Sequence, residues 1–335
     1  MEYRDIIVVG GSAGGLAALQ VLVGRLPRDL SAAVFVVLHI GARDSALPQI
    51  LAAAGPLPAA FAADDAPIEP GRIHIAPPDH HLVLSSGRTL LSRGPRENRT
   101  RPAVDPLFRS AAEAYGSRVI GVILSGTLSD GTAGFSVIKR HGGITVVQDP
   151  DDARYSGMPA SALHHVTVDH CVPVGAMPEL LVRLSGATST AAGMPKPGAE
   201  KKKAKREKVA EMPNAYDLDQ PVALTCPDCG GALRESSADS MLYYTCHIGH
   251  RFAGANMDAA QYDLMEQALA AALRTLNERA ALCRRMAETA LAGQQTFSAQ
   301  SWDAAYQEAT DRAEVLRRFL EQEWTKPSAA EEEDG

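Results

Sequence analysis

The feature that most constrains this chain is the alternation in its first half. Short apolar runs are followed by turns and then by stretches with helical character. Ile6 to Val9 reads as a short buried strand, the turn Gly10-Gly11-Ser12-Ala13-Gly14-Gly15 follows, and Leu16 to Leu26 reads as a helix. Ala33 to Ile40 is a second, valine-rich strand. Arg72 to Ala76 and His81 to Leu91 also read as strands, the latter folding back at Ser86-Gly87. A helix over 105–115, a strand over Val119 to Leu124, a glycine-containing turn, a helix over Phe135 to Arg140 and a strand over Ile144 to Gln148 complete the pattern. Strands alternating with helices predict an α/β fold: a doubly wound, mostly parallel sheet with helices on both faces. Such a sheet places its chemistry at the carboxyl ends of its strands.

The chain is longer than one such domain. Its 335 residues exceed the roughly 100–200 typical of a single domain, and the composition shifts after Gly186. Residues 1–186 form the predicted catalytic domain, and residues 187–217, with small residues, prolines and the run Lys196 to Lys208, read as a flexible linker. Residues 218–257 carry cysteines and histidines and predict a small zinc-ribbon-like module. Residues 258–325 predict a helical hairpin, with Leu269, Leu273, Leu276 and Ala280 on one face, a break at Gly293 and a second helix from Ser298 to Trp324. An acidic tail, 326–335, closes the chain.

The formal net charge of -7 argues against nucleic-acid binding, and the lysine-rich run lacks the aromatics that would suggest it. With no secretory leader and no uninterrupted apolar stretch of about 18 residues, no membrane insertion is expected. Five cysteines, an odd count that includes a C-x-x-C pair, fit a reducing compartment and a metal site better than a disulfide framework. The reading is cytoplasmic.

Three strand-ending turns carry residues suited to acyl transfer: Ser12 after the first strand, His39 closing the second, and Asp130 in the turn Ser125-Gly126-Thr127-Leu128-Ser129-Asp130-Gly131. A serine hydroxyl needs a base to become a good nucleophile. A carboxylate behind the histidine fixes its tautomer and stabilises the imidazolium. Ser12 would also sit at a helix N-terminus, whose free N–H groups can stabilise an oxyanion. Taken alone, these residues leave three readings open: hydrolase, dinucleotide binding, and a noncatalytic phosphate-binding turn. Dinucleotide binding is disfavoured because Ser12 occupies a position the G-x-G-x-x-G fingerprint requires to be glycine, and because no acid closes the second strand at Val37-Leu38-His39-Ile40.

Six ordered motifs add a resemblance. VVGGSAGGLAAL, VLHIG, IAPPDHHLVL, RPAVDPLFRSAA, VILSGTLSDGTAGF and SGMPASAL together resemble the catalytic domain of the chemotaxis protein-glutamate methylesterases of the CheB type, over about residues 4–186. The resemblance implies Ser12 as nucleophile, His39 as base and Asp130 as the third triad member, with no cofactor for catalysis. It also implies hydrolysis of glutamate methyl esters on methyl-accepting chemoreceptors or related signalling proteins, with glutamine deamidation as a second activity. Two departures stand out. Family members commonly read G-M-G-x-D-G where this chain has Thr127 and Leu128, and the methionine position is thought to help form the oxyanion hole. The best-known members also carry a phosphoacceptor receiver domain first, whereas here the first strand begins within a few residues of Met1, so no receiver is expected. The alternative functional reading is a catalytically weakened hydrolase-like module that acts through protein–protein contacts.

Other residues carry weaker signals. His81 matches a histidine near the active site of that family and reads either as a site residue or as a structural histidine. Arg93, Arg96, Arg99 and Arg101 are either a docking surface for a glutamate-rich substrate or a solvated loop face. Met158 reads as packing, and Cys171, in a short apolar strand, as buried and inert.

Cys226-Pro227-Asp228-Cys229 and Cys246-His247-Ile248-Gly249-His250 are separated by sixteen residues, a spacing that predicts structural zinc. Cys226, Cys229 and Cys246 supply three thiolates. His250 is the expected fourth ligand and His247 the alternative. A pair of redox or incidental thiols is the competing reading. Cys283, on a helical face, is expected to be core.

Overall fold

The computed structural model describes residues 4–39, 45–186, 221–238 and 241–322. The expected linker, with its lysine-rich run, and the acidic tail lie outside the described residues. The chain divides into two compact units after Met257.

Valine- and isoleucine-rich segments form the centre of the first unit. The elements are β1 (Ile6–Gly11), α1 (Gly15–Gly24), β2 (Ala33–Leu38), α2 (Leu47–Ala54), β3 (Ala59–Phe61), β4 (Ala66–Pro67), β5 (Ile73–Ile75), β6 (His81–Ser85), β7 (Arg88–Ser92) and α3 (Val104–Tyr115). They continue through β8 (Val119–Ile123), α4 (Thr132–Arg140), β9 (Ile144–Gln148), α5 (Gly157–His165), β10 (His170–Val172) and α6 (Met177–Leu184). Seven strands form one sheet in the order β10-β9-β8-β1-β2-β5-β3, and every pairing in it is parallel. Alternate side chains feed two cores. Ile7 and Val9 pack with Leu19 and Leu22 of α1, Leu51 of α2 and Leu181 of α6 on one face. Ile6 and Val8 pack with Phe108 of α3, Phe135 of α4 and Met158 of α5 on the other. Strands covered on both faces read as continuous apolar runs, which is why β1 and β2 carry no polar alternation.

The strand order reverses between β1 and β8. In a doubly wound sheet such a switch point opens a crevice at the strands' carboxyl ends. The turns after β1, β2 and β8, which carry Ser12, His39 and Asp130, all lie at that edge. The expected hairpin at Ser86-Gly87 is β6 and β7. Cys171 departs from expectation. It lies in β10, but β10 is the edge strand of the sheet and the residue is exposed. Partial desolvation by its surroundings and the charges of Asp149 and Asp151 push its thiol pKa up, which disfavours the reactive thiolate.

A second, antiparallel sheet follows in the same unit: β11 (Pro221–Thr225), β12 (Ala232–Ala238), β13 (Met241–Cys246) and β14 (Arg251–Ala253), paired in that order. Two long helices end the described chain, α7 (Gly254–Ala292) and α8 (Thr296–Leu320). In the second unit the face begun by Leu269, Leu273, Leu276 and Ala280 continues through Cys283, Ala287 and Ala290, of which Ala280 and the last three are buried. This spacing alternates three and four residues, the seam of a two-helix coiled hairpin. The facing helix contributes buried Ala299, Ala309 and Ala313. Cys283 is core, as its position predicts.

Candidate active site

The turn after β1 is built by glycine. Gly14 adopts φ 73°, where L residues are strained, and a side chain there would press on Ser125 Oγ. Ser12 is fixed by its own backbone. Its N–H donates to Ser125 O at 3.0 Å, and its carbonyl accepts from Gly15 N at 2.9 Å. The hydroxyl is thereby held at the N-terminus of α1, where the first N–H groups lack intrahelical partners. Gly126, in the turn after β8, cannot carry a side chain: a Cβ would lie 2.1 Å from Met158 Sδ and 3.0 Å from Ser12 Cβ. Met158 is fully buried and packs under the turn, as its apolar side chain predicts. Thr127 and Leu128, the departures from the family pattern, are exposed, and Leu128 has φ 63°.

The structure brings Ser12, His39 and Asp130 into one relay. Ser12 Oγ lies 3.0 Å from His39 Nδ1, and His39 Nε2 lies 2.8 Å from Asp130 Oδ2. With both ring nitrogens engaged, the tautomer is set: Nε2–H donates to the carboxylate, and Nδ1 accepts from the serine hydroxyl. The ring is used in the opposite sense from the serine-protease template, where Nδ1 faces the aspartate. Thr100 Oγ1, at 3.4 Å from Nε2, is a second, weaker acceptor.

Asp130 is buried and accepts from four donors: His39 Nε2 at 2.8 Å, Val104 N at 2.7 Å, Asn98 Nδ2 at 3.0 Å and Asp105 N at 3.3 Å. Two of these are the first N–H groups of α3, so the carboxylate caps a helix other than the one that follows it. Burial pushes its pKa up, but the His39 hydrogen bond and charge, with the Val104 and Asn98 donors, hold it below the usual value. Asp105 behaves in the opposite way: burial and the neighbouring Asp130 charge push its pKa up to about 8. Its Oδ1 accepts from Gly134 N at 2.7 Å, capping α4. Two neighbouring acids therefore cap each other's helices and differ in protonation.

The weaker candidates separate. His81 is buried, with Nε2 donating to Pro95 O at 3.0 Å and Nδ1 accepting from Ala103 N at 3.2 Å. Both nitrogens are spent on the loop, and burial lowers its pKa, so the geometry supports the structural reading. Arg93 and Arg101 both pair with Asp79. Arg101 also donates to the carbonyls of Arg93 and Gly94, so part of the basic run is built into the loop. Sequence reasoning missed Asn98 and Thr100. Their only local signal is the left-handed backbone at Asn98, φ 50°, a conformation Asn tolerates.

Cys226, Cys229, Cys246 and His250 converge, their ligand atoms all within 4.8 Å of one another. Cys226 Sγ and Cys246 Sγ each lie 3.6 Å from His250 Nδ1, and Cys229 Sγ lies 3.7 Å from Cys246 Sγ. A tetrahedral ion with bonds of about 2.3 Å to sulfur and 2.0–2.1 Å to nitrogen requires ligand separations of roughly 3.5–3.8 Å. The donor set and its spacing fit zinc. His247 is exposed and packs against Gly231, where an added Cβ would meet its ring at 2.2 Å. His250 is therefore the histidine in the cluster.

Comparisons with known proteins find relatives of the first half of the chain. The family model for CheB methylesterase matches residues 7–181. A relative from Leptospira interrogans, whose name carries a methylesterase and a glutaminase activity, is 39% identical over 186 residues, covering 55% of this chain and 96% of that protein. The protein-glutamate methylesterase/protein-glutamine glutaminase 3 of Anaeromyxobacter dehalogenans is 42% identical over 160 residues, 47% of this chain and 47% of that protein, so the chain spans about half of that relative. The crystal structure of the Thermotoga maritima CheB methylesterase catalytic domain superimposes with a TM-score of 0.52 at 33% identity, covering 55% of this chain and all of that one.

Proposed function

The chain belongs to the CheB methylesterase family, and on that premise we propose that it is a protein-glutamate methylesterase, and a protein-glutamine glutaminase, working through Ser12, His39 and Asp130. The observation that carries this reading is the unbroken line of hydrogen bonds from Ser12 Oγ through His39 to Asp130. Residues 1–186 are the proposed catalytic domain, and the substrate is a methyl-accepting chemoreceptor or a related signalling protein.

In this reading each residue has a step. Ser12 Oγ attacks the ester carbonyl as its proton passes to His39 Nδ1. Asp130 stabilises the resulting imidazolium through Nε2–H. The helix N-terminus after Ser12 and the turn at Thr127 are where N–H groups can receive the developing oxyanion. A backbone N–H needs no particular side chain, so Thr127 in place of methionine is compatible with catalysis. His39 gives the proton to the departing methoxide oxygen, which leaves as methanol; a serine ester of the glutamyl group remains, and water activated by the same nitrogen cleaves it to release glutamate and restore the Ser12 hydroxyl. Glutamine follows the same path with ammonia as the leaving group. No step uses a cofactor.

The Cys226, Cys229, Cys246 and His250 cluster is the proposed structural zinc site. Three thiolates and an imidazole close the coordination sphere, which suits folding rather than catalysis. No described helix is long and apolar enough to cross a membrane, in keeping with action in the cytoplasm without membrane insertion. Ser12→Ala tests the enzymatic reading. Methanol release from a methylated receptor should fall by about 10⁶-fold, the range for removing a serine nucleophile. Activity within a few-fold of wild type would favour a noncatalytic interaction module.

A further inference from the structure

Asn98 lies between two parts of the first unit. Its side-chain amide donates to Asp130 Oδ1 at 3.0 Å and to Asp105 Oδ2 at 3.1 Å. Its side-chain oxygen accepts from Ala253 N, at the end of β14, at 3.1 Å. The side chain of this residue, 5% exposed, thus makes three hydrogen bonds, two to the acids behind the histidine and one to the cysteine-rich sheet. That last bond fixes which way the amide points. An oxygen facing the Ala253 N–H leaves the NH₂ group facing the carboxyls. The reverse orientation would set a donor against a donor and an acceptor against two acids.

The same sheet holds the surrounding backbone. Asn98 N donates to Arg251 O at 2.8 Å, and Arg251 N donates to Arg96 O at 3.2 Å, so the loop extends the sheet beyond β14. Ser129, next to Asp130, donates to Asn256 Oδ1 at 2.6 Å. Met241, Tyr243 and Ala253 pack with Ala133, just after the Asp130 turn. Pro95 lies against the metal knuckle, because a Cβ on Gly249 would meet its ring at 3.0 Å.

We infer that the cysteine-rich sheet is a positioning element of the active site, in which Asn98 and Asn256 transmit its metal-held geometry to Asp130. This rests on the reading of Asp130 as a triad member. Asn98 donates to Asp130 itself, and Asn256 accepts from the neighbouring Ser129. Both act through Asp130, as outer-shell partners orient metal ligands, where removing one typically costs about 10–100-fold.

The test uses the full-length zinc-loaded protein and a small substrate, a blocked glutamate γ-methyl ester, which needs no receptor docking. Asn98→Leu keeps the approximate size but offers the carboxyls no donor. Asp130 then loses one of the donors that hold it, so kcat should fall by about 10–100-fold with little change in KM. Asn256→Ala should lower kcat more than it changes KM. Chelation of the wild type should lower kcat likewise, and hydrogen exchange should show residues 95–101 losing protection, a readout independent of turnover. If Ser12→Ala is inactive but both asparagine variants and the chelated enzyme keep the wild-type kcat and KM, the inference is overturned. If Ser12→Ala remains active, the parent reading fails instead.

Discussion

In the seven-stranded sheet, β1 and β2 are closed to solvent at every position. In the four-stranded sheet, β13 buries only three of its six residues. The first sheet lies between two helical layers, and each fully buried Val, Leu, Ile or Phe contributes about 1.5–3 kcal/mol. The second is a segment of fewer than about 40 residues, the size at which metals or disulfides are usually needed. Its buried centre includes Leu233 and Phe252 alongside the clustered Cys226 and Cys246. One sheet has a large apolar core and the other a small one beside a convergence of thiols and an imidazole, yet both contribute to the surroundings of Asp130. If the proposed metal holds the second sheet, a site assembled by the first would also depend on it.

The largest expected effect tests where the chemistry resides. Asp130→Asn should lower turnover by about 10⁴-fold, the precedent for a triad aspartate, because the amide cannot accept the His39 Nε2–H as a carboxylate does. The far-ultraviolet circular dichroism and the zinc content should stay as in wild type. A near-normal rate would reduce Asp130 to the cap of α3.

Chelation breaks the comparison from the other side. Ligand binding supplies folding energy to small metal modules, so removal of zinc should unfold β11 to β14 and leave the seven-stranded sheet intact. Purified protein should contain about one zinc per chain. Hydrogen exchange resolves the two sheets, and a cooperative loss of both would show that they are one folding unit. Metal-free protein prepared under reducing conditions with native exchange in β13 would remove the metal from the argument.

Much of this was legible in the sequence, and the reason is local. A doubly covered strand must be apolar throughout, so β1, β2, β8 and β9 announce themselves. A residue at a strand-ending turn is placed by that strand, so Ser12, His39 and Asp130 could be named together. The Cys226 and Cys229 pair is legible because two thiols on one tight turn are placed to converge. Asn98 was not legible, because its bond to Ala253 spans 155 residues and leaves no periodic trace. Short elements such as α2, with only Gln49 among apolar residues, and β3, Ala59–Phe61, lack the contrast that reveals a face. Cys171 was misjudged because an apolar three-residue strand reads alike at the centre and at the edge of a sheet.

A smaller effect separates the two acids at the centre of the comparison. Asp105 binds its proton more tightly in the folded state, with its pKa raised to about 8. Between about pH 4 and pH 8 the folded chain therefore holds a proton that the unfolded chain has released, and stability falls as pH rises. The contribution of Asp130, whose pKa is lowered, runs the other way: it is present above the ordinary carboxylate value and is lost on acidification. Denaturant titrations from pH 5 to 8 should show the decline in wild type and a flatter profile in Asp105→Asn. Equal slopes in the two proteins would mean that Asp105 is ionised when folded.

The smallest effect concerns the loop that joins the two regions. Arg93 and Arg101 both pair with Asp79, but the Arg93 side chain is 68% exposed and that of Arg101 19%. Together they hold the Asp79 pKa down at about 2, which makes their pairing a stabilising contribution only above the ordinary carboxylate pKa, lost as pH falls. An exposed pair is worth about 0–1 kcal/mol once screening is counted. Arg93→Ala should therefore leave stability within that range and the rate on a small ester unchanged. Arg101 is different, because its guanidinium also donates to the Arg93 and Gly94 carbonyls and so shapes the approach to Asn98. Arg101→Ala should cost more than Arg93→Ala in both thermal stability and small-ester kcat. If Arg93→Ala instead weakens only the action on whole receptor, and does so less at high salt, then the exposed arginine docks substrate while the buried one holds the loop. If the two variants are indistinguishable in every assay, the loop owes its shape to β14 and the His81 bonds rather than to Asp79.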